Sequence, residues 1–106
     1  MTSTPVPEPV KAARRILTAV LAADPVAEDA IAIREALDVL VDVHPPYPPL
    51  GLEDDPTEPD VGIPAALHQL GQAIDAATDI PALCRYGEAI VLLRRAPSAH
   101  PPAGAS

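Results

Sequence analysis

Apolar residues recur at three- and four-residue spacing in four separate stretches of the chain, which is the signature of amphipathic helices. In the first stretch Val10, Ala13, Leu17, Val20 and Leu21 share one face, and Lys11, Arg15 and Thr18 form a narrow polar stripe. In the second, Ile33, Leu37, Leu40 and Val41 mark an inner face, while Glu28, Glu35, Asp38 and Asp42 lie along an acidic outer one. The third carries Ile63, Ala66, Leu67, Leu70, Ile74 and Ala77 opposite His68, Gln72, Asp75 and Asp79. The fourth departs from this scheme. Leu83, Tyr86 and Ile90 alternate with Arg85 and Glu88, after which Ala89, Ile90, Val91, Leu92 and Leu93 are apolar all round, so this helix is either the most buried one or part of a partner surface.

Proline sets the boundaries. Helices are expected to start at Pro9, Pro25, Pro64 and Pro81, because a proline in the first turn gives up no hydrogen bond that the helix needs. Asp24 and Asp79 stand where a side chain can cap the second and fourth helices. Between them, HPPYPPLGLEDDPTEPD combines six prolines with five carboxylates and excludes both helix and inner strand. The pattern predicts an all-α fold, a small four-helix bundle of two antiparallel helical hairpins joined by a Pro-rich acidic linker. Residues 1–8 form a flexible arm, 9–43 the first hairpin, 44–62 the linker, 63–95 the second hairpin and 96–106 a disordered tail, with 9–95 as one domain.

The two hairpins align without a gap at an offset of 53, pairing Val10 with Ile63, Ala13 with Ala66, Leu17 with Leu70, Ala36 with Ala89 and Leu40 with Leu93. Polar positions agree poorly, and amphipathic helices of equal length align by chance, so coincidence is favoured over a duplicated hairpin.

Composition narrows the function classes. The formal net charge of −8 argues against a general phosphate-binding surface, so nucleic acid is an unexpected partner and a basic protein a more suitable one. With Tyr47 and Tyr86 as its two aromatic residues, the chain must build its core from Ala, Leu, Val and Ile. The apolar stretch from Ile16 to Ala23 is far too short to span a bilayer, so no membrane contact is expected. A single cysteine, Cys84, excludes an intramolecular disulfide and fits a reducing cytoplasm, where it is expected to be a buried small hydrophobe.

Candidate chemistry is sparse. His44, His68 and His100 stand at no metal-ligand spacing from one another or from Cys84, and no glycine-rich phosphate loop occurs, so no metal, cofactor or catalytic residue is expected. His68 and Asp75 lie two turns apart on one helix face and form the weak alternative of a metal-binding or enzymatic bundle. Helices three and four, with Arg85, carry a faint likeness to a helix-turn-helix regulator. The expected function is a non-catalytic one, protein–protein interaction through self-association as a homodimer or through a partner helix or basic protein. Its contact residues would be Ala89, Ile90, Val91, Leu92 and Leu93, with Glu35, Asp38 and Asp42 steering the partner.

Overall fold

In the computed structural model, residues 7–43 and 56–99 are described. They form four helices, α1 (Glu8–Ala22), α2 (Ala27–Val43), α3 (Pro59–Ala76) and α4 (Ile80–Leu93), followed by a short 3-10 turn at Pro97–Ala99. The four-helix bundle is therefore as the periodicity predicts. Most of the linker, with His44, Tyr47 and the overlapping Pro-x-x-Pro spacings, lies outside the described residues, as do 1–6 of the arm and 100–106 of the tail.

Two helix boundaries differ from expectation, each for a local reason. Asp24 does not open α2. Its backbone is left-handed, at φ 55°, and its N–H bonds the carbonyl of Leu21 at 3.1 Å, so it ends α1 in a conformation that Asp tolerates better than most side chains. Pro25 follows as a residue that cannot continue α1, and α2 begins only when the Val26 carbonyl accepts from Ala30 at 3.0 Å. Helix α3 opens a full turn before Pro64, at Pro59, where the Glu58 carbonyl accepts from Val61 and Gly62 at 3.1 and 2.8 Å. Pro64 is thus inside the helix. Its missing N–H would have served the carbonyl of Asp60, an exposed residue in the first turn of α3. Asp79 caps α4 as expected, its carboxylate accepting from the Ala82 N–H at 3.1 Å.

The largest interfaces join helices from different halves of the chain. Helix α1 packs chiefly on α3, and α2 on α4; α3 and α4 touch less, and α1 and α2 least. Both main pairs are antiparallel. Thr57, just before α3, donates its N–H to Ala19 near the end of α1 at 3.1 Å, while Arg85 early in α4 reaches Asp42 at the end of α2. These contacts place the end of α2 beside the start of α4, and therefore about 27 Å from the start of α3 at 1.5 Å per residue. The ends that residues 44–55 must join lie at opposite ends of the bundle, a span that twelve residues can cover.

The core follows the 53-residue offset closely. Val10, Ala13, Leu17 and Val20 are buried, and so are Ile63, Ala66, Leu70 and Ala73; Ile33, Ala36 and Leu40 match Tyr86, Ala89 and Leu93. Antiparallel α1–α3 and α2–α4 pairs are what a two-fold relation between the hairpins would require. The sequence match thus coincides with equivalent places in the bundle. It is imperfect, since α3 and α4 pack more closely than α1 and α2.

Helix α1 meets the start of α3 at Gly62. A Cβ there would collide with Cγ2 of Val20 and meet Cγ2 of Thr57 at 3.0 Å and Cγ2 of Ile16 at 3.5 Å. All three neighbours are β-branched and stiff at χ1, so they cannot swing aside. Gly71 and Gly87, by contrast, face open space. Gly62→Ala should therefore lower stability in chemical denaturation by about 1–3 kcal/mol through overpacking. Gly71→Ala should raise it by roughly 0.5–1 kcal/mol, because a mid-helix glycine carries only its entropic disadvantage.

Candidate functional site

Helix α4 turns Ala82, Tyr86, Ala89 and Leu93 into the core. Ala89 and Leu93 are completely buried, which removes them from the expected partner-binding run; Ile90 and Leu92 are half-buried. The reason is periodicity. Five consecutive apolar residues cover every side of a helix, and the side set by Tyr86 was already committed to α2 and α3. Of the run, Val91 alone is exposed.

The outward side of α4 has a composition of its own. Ile80 is 75% exposed, Val91 54% and Leu83 38%, and Cys84 is exposed beside them. Ile80, Leu83, Cys84, Gly87 and Val91 follow helical spacing along one stripe, opposite the buried residues. Cys84 is therefore not the buried small hydrophobe expected of it. This stripe was legible in the spacing of Ile80, Leu83 and Val91, but the all-apolar run that follows concealed which residues would face out.

Helix α2 presents the acidic face that its pattern predicts, with Glu28, Glu35, Asp38 and Asp42 all exposed. The two outer faces are joined by Arg85, which contacts Asp42 at 3.0 Å and Glu88 at 2.8 Å. The hydrogen bond to Glu88 first, and the charge of Asp42 next, raise the Arg85 pKa above its ordinary value. Arg85 is the cation that a DNA-reading helix would present, and here two carboxylates engage it.

The 53-residue correspondence sets the two faces side by side. Ile80, Leu83, Gly87 and Val91 of α4 occupy the places of Ala27, Ala30, Arg34 and Asp38 in α2. The halves share a core and differ outside. At the places of Arg34 and Asp38, α4 carries Gly87 and the exposed Val91, while the exposed Ile31 of α2 stands at the place of Cys84.

The remaining candidates do not converge. His68 and Asp75 are both exposed on α3, and the imidazole Nε2 of His68 lies 3.1 Å from the Gln72 amide nitrogen. Among the described residues, no three of His, Cys, Asp and Glu gather where a metal ion could be held. No helix among them is long and apolar enough to cross a membrane.

Three buried polar residues were missed at the sequence level. Thr18, placed on the polar stripe of α1, is buried and bonds the carbonyls of Arg14 and Arg15 at 3.1 and 2.9 Å, so its hydroxyl is satisfied within its own helix. Arg14 is buried on the same helix, and desolvation lowers its pKa. Asp29, 1% exposed in the first turn of α2, accepts from the Ser98 hydroxyl at 2.7 Å and the Ser98 N–H at 3.2 Å. That pair fixes the 3-10 turn across the ends of α2 and α3, so the tail begins with a docked segment rather than a disordered one. Nothing in the local pattern marks Asp29, because its partner lies 69 residues away. Burial also raises the Tyr86 pKa, with the negative charge of Asp79 adding to it.

Ser98→Ala should cost about 1–3 kcal/mol, since it deprives a buried carboxylate of a charge-assisted bond. Hydrogen exchange should quicken at Ala96–Ala99 before any other part of the bundle. Comparison with protein-family models, with curated proteins and with solved structures finds no match for this chain.

Proposed function

We propose that this chain is a non-catalytic interaction protein that binds through the outer face of α4. The observation that carries the reading is the contrast between quasi-equivalent helices. At the matching places α2 carries Ala27, Ala30, Arg34 and Asp38, with Ile31 exposed where α4 has Cys84, so α4 differs in exposing Ile80, Leu83 and Val91 along a stripe that holds no charge. Exposed apolar side chains in a contiguous stripe gain free energy when a partner removes them from water, about 25 cal/mol per Å² covered.

The acidic face of α2, with Glu35, Asp38 and Asp42, adjoins the stripe through Arg85 and would speed the approach of a basic partner and orient it. Regulation through DNA contact and chemistry at His68 and Asp75 have no comparable observation in their favour.

Photoreactive residues placed singly at positions 91 and 75 test this in the native cell. Position 91 should give discrete protein adducts and position 75, exposed on α3, few. Moving the α2 residues onto α4, as Ile80→Ala, Leu83→Ala and Val91→Asp together, should abolish binding and leave helicity unchanged. Equal adduct yields at both positions, or binding untouched by the triple substitution, would overturn the assignment.

A further inference from the structure

We infer that Ser98 is a phosphorylation site, and that a phosphoryl group there releases the turn at residues 96–99 from the start of α2. The inference is independent of the α4 surface. A protein kinase that selects serines preceded by arginines supplies the group from a nucleoside triphosphate. The Ser98 hydroxyl oxygen bonds to the γ-phosphorus, and the bond from that phosphorus to the bridging oxygen breaks. The hydroxyl proton passes to the kinase's base, and the nucleoside diphosphate leaves.

The first ground is access. Ser98 is half-buried in the 3-10 turn beyond the last α-helix, and Arg94 and Arg95, four and three residues before it, are exposed. An acidic kinase cleft can read both. Arg14 and Arg15 stand at the same spacing before Thr18, so spacing alone does not choose between the two hydroxyls. Burial does. Thr18 is enclosed within α1 with its hydroxyl on the carbonyls of Arg14 and Arg15, and reaching it means unfolding that helix. Thr57 and Thr78, the other described threonines, have the carboxylates Asp54 and Asp75 three residues before them, the opposite charge.

The second ground is what Ser98 touches. Its hydroxyl donates to Asp29 Oδ2 at 2.7 Å and its N–H to Oδ1 at 3.2 Å, and Asp29 is 1% exposed. A carboxylate only accepts, so the shorter bond needs the one proton that the serine hydroxyl carries. Esterification removes that proton and sets a charge of about −1.5 to −2 against a buried anion. The N-terminal end of α2 offers roughly half a positive charge in return, which Glu28 and Asp29 of its first turn already outweigh. The docked turn is therefore stable with a free hydroxyl and unstable with a phosphate. Its release brings the completely buried Ala96 into water and uncovers the surface of α2 and α3 on which the turn lies.

The full chain purified from its native cell with phosphatases inhibited should carry phosphate on Ser98 and none on Thr18 by mass spectrometry. Treated with ATP and an arginine-directed serine kinase, it should take up one phosphate at the same position, and Arg95→Ala should slow the reaction about tenfold. Phosphorylation should quicken hydrogen exchange at Ala96–Ala99 by about tenfold or more, with the centres of the four helices unchanged. Asp29→Asn, whose amide does not repel a phosphate, should remain a substrate and show no such acceleration.

A chain from the cell without phosphate at position 98, or with phosphate on Thr18 in its place, overturns the assignment of the site. Phosphate at 98 that leaves exchange unchanged, or quickens it equally in Asp29→Asn, overturns the release of the turn.

Discussion

Where α1 meets the start of α3, position 62 has no side chain, and the close fit of the two helices depends on that. Ile16, Val20 and Thr57 close over the glycine, and the Thr57 N–H is bonded to Ala19 beside it. This contact sets the start of α3 against the end of α1, which makes the pair antiparallel. Once that pair is fixed, α4 must return along α3 because three residues, Ala77–Asp79, connect them, and its remaining free side falls against α2. The Asp29–Ser98 pair then joins the far ends of α2 and α4, 69 residues apart in the chain. Among the described residues Tyr86 is the one buried aromatic ring, and such a core depends on close approaches, because alanine and valine cover little area unless backbones come near.

The periodicity of the chain was sufficient for the number of helices, their inner faces and most of the buried residues. Spacing reports which side of a helix is apolar and leaves open which other helix covers it. The preference of α1 for α3 over its neighbour α2 was accordingly hidden, as was the role of Gly62, which appears only when Val20 is set against it. The boundary errors have a similar origin. Pro64 and Pro59 both satisfy the rule for a first turn, and Asp24 suits the end of one helix as well as the start of the next. The exposed face of α4 was partly legible, but in an apolar run the assignment of Ala89 and Leu93 to the core and of Val91 to the surface follows from the orientation of Tyr86.

The approximate two-fold relation between the halves separates what folding demands from what it permits. Positions that agree across the 53-residue offset are the core ones, where volume and polarity are constrained by packing. Some buried positions disagree, as Asp29 does with Ala82, but most differences lie outside, where α2 carries Arg34 and Asp38 and α4 carries Gly87 and Val91. A surface that is free to vary and nonetheless keeps Ile80, Leu83 and Val91 exposed is where a binding role is best sought.

The pairing of helices across the halves is tested most directly by nuclear Overhauser contacts in the isotope-labelled full chain. The account requires strong contacts between the Val20 methyl groups and the Gly62 Hα protons, with Ile16 methyl contacts to the same residue. Absence of the Val20–Gly62 contacts, with extensive ones between the apolar faces of α1 and α2 in their place, would contradict it.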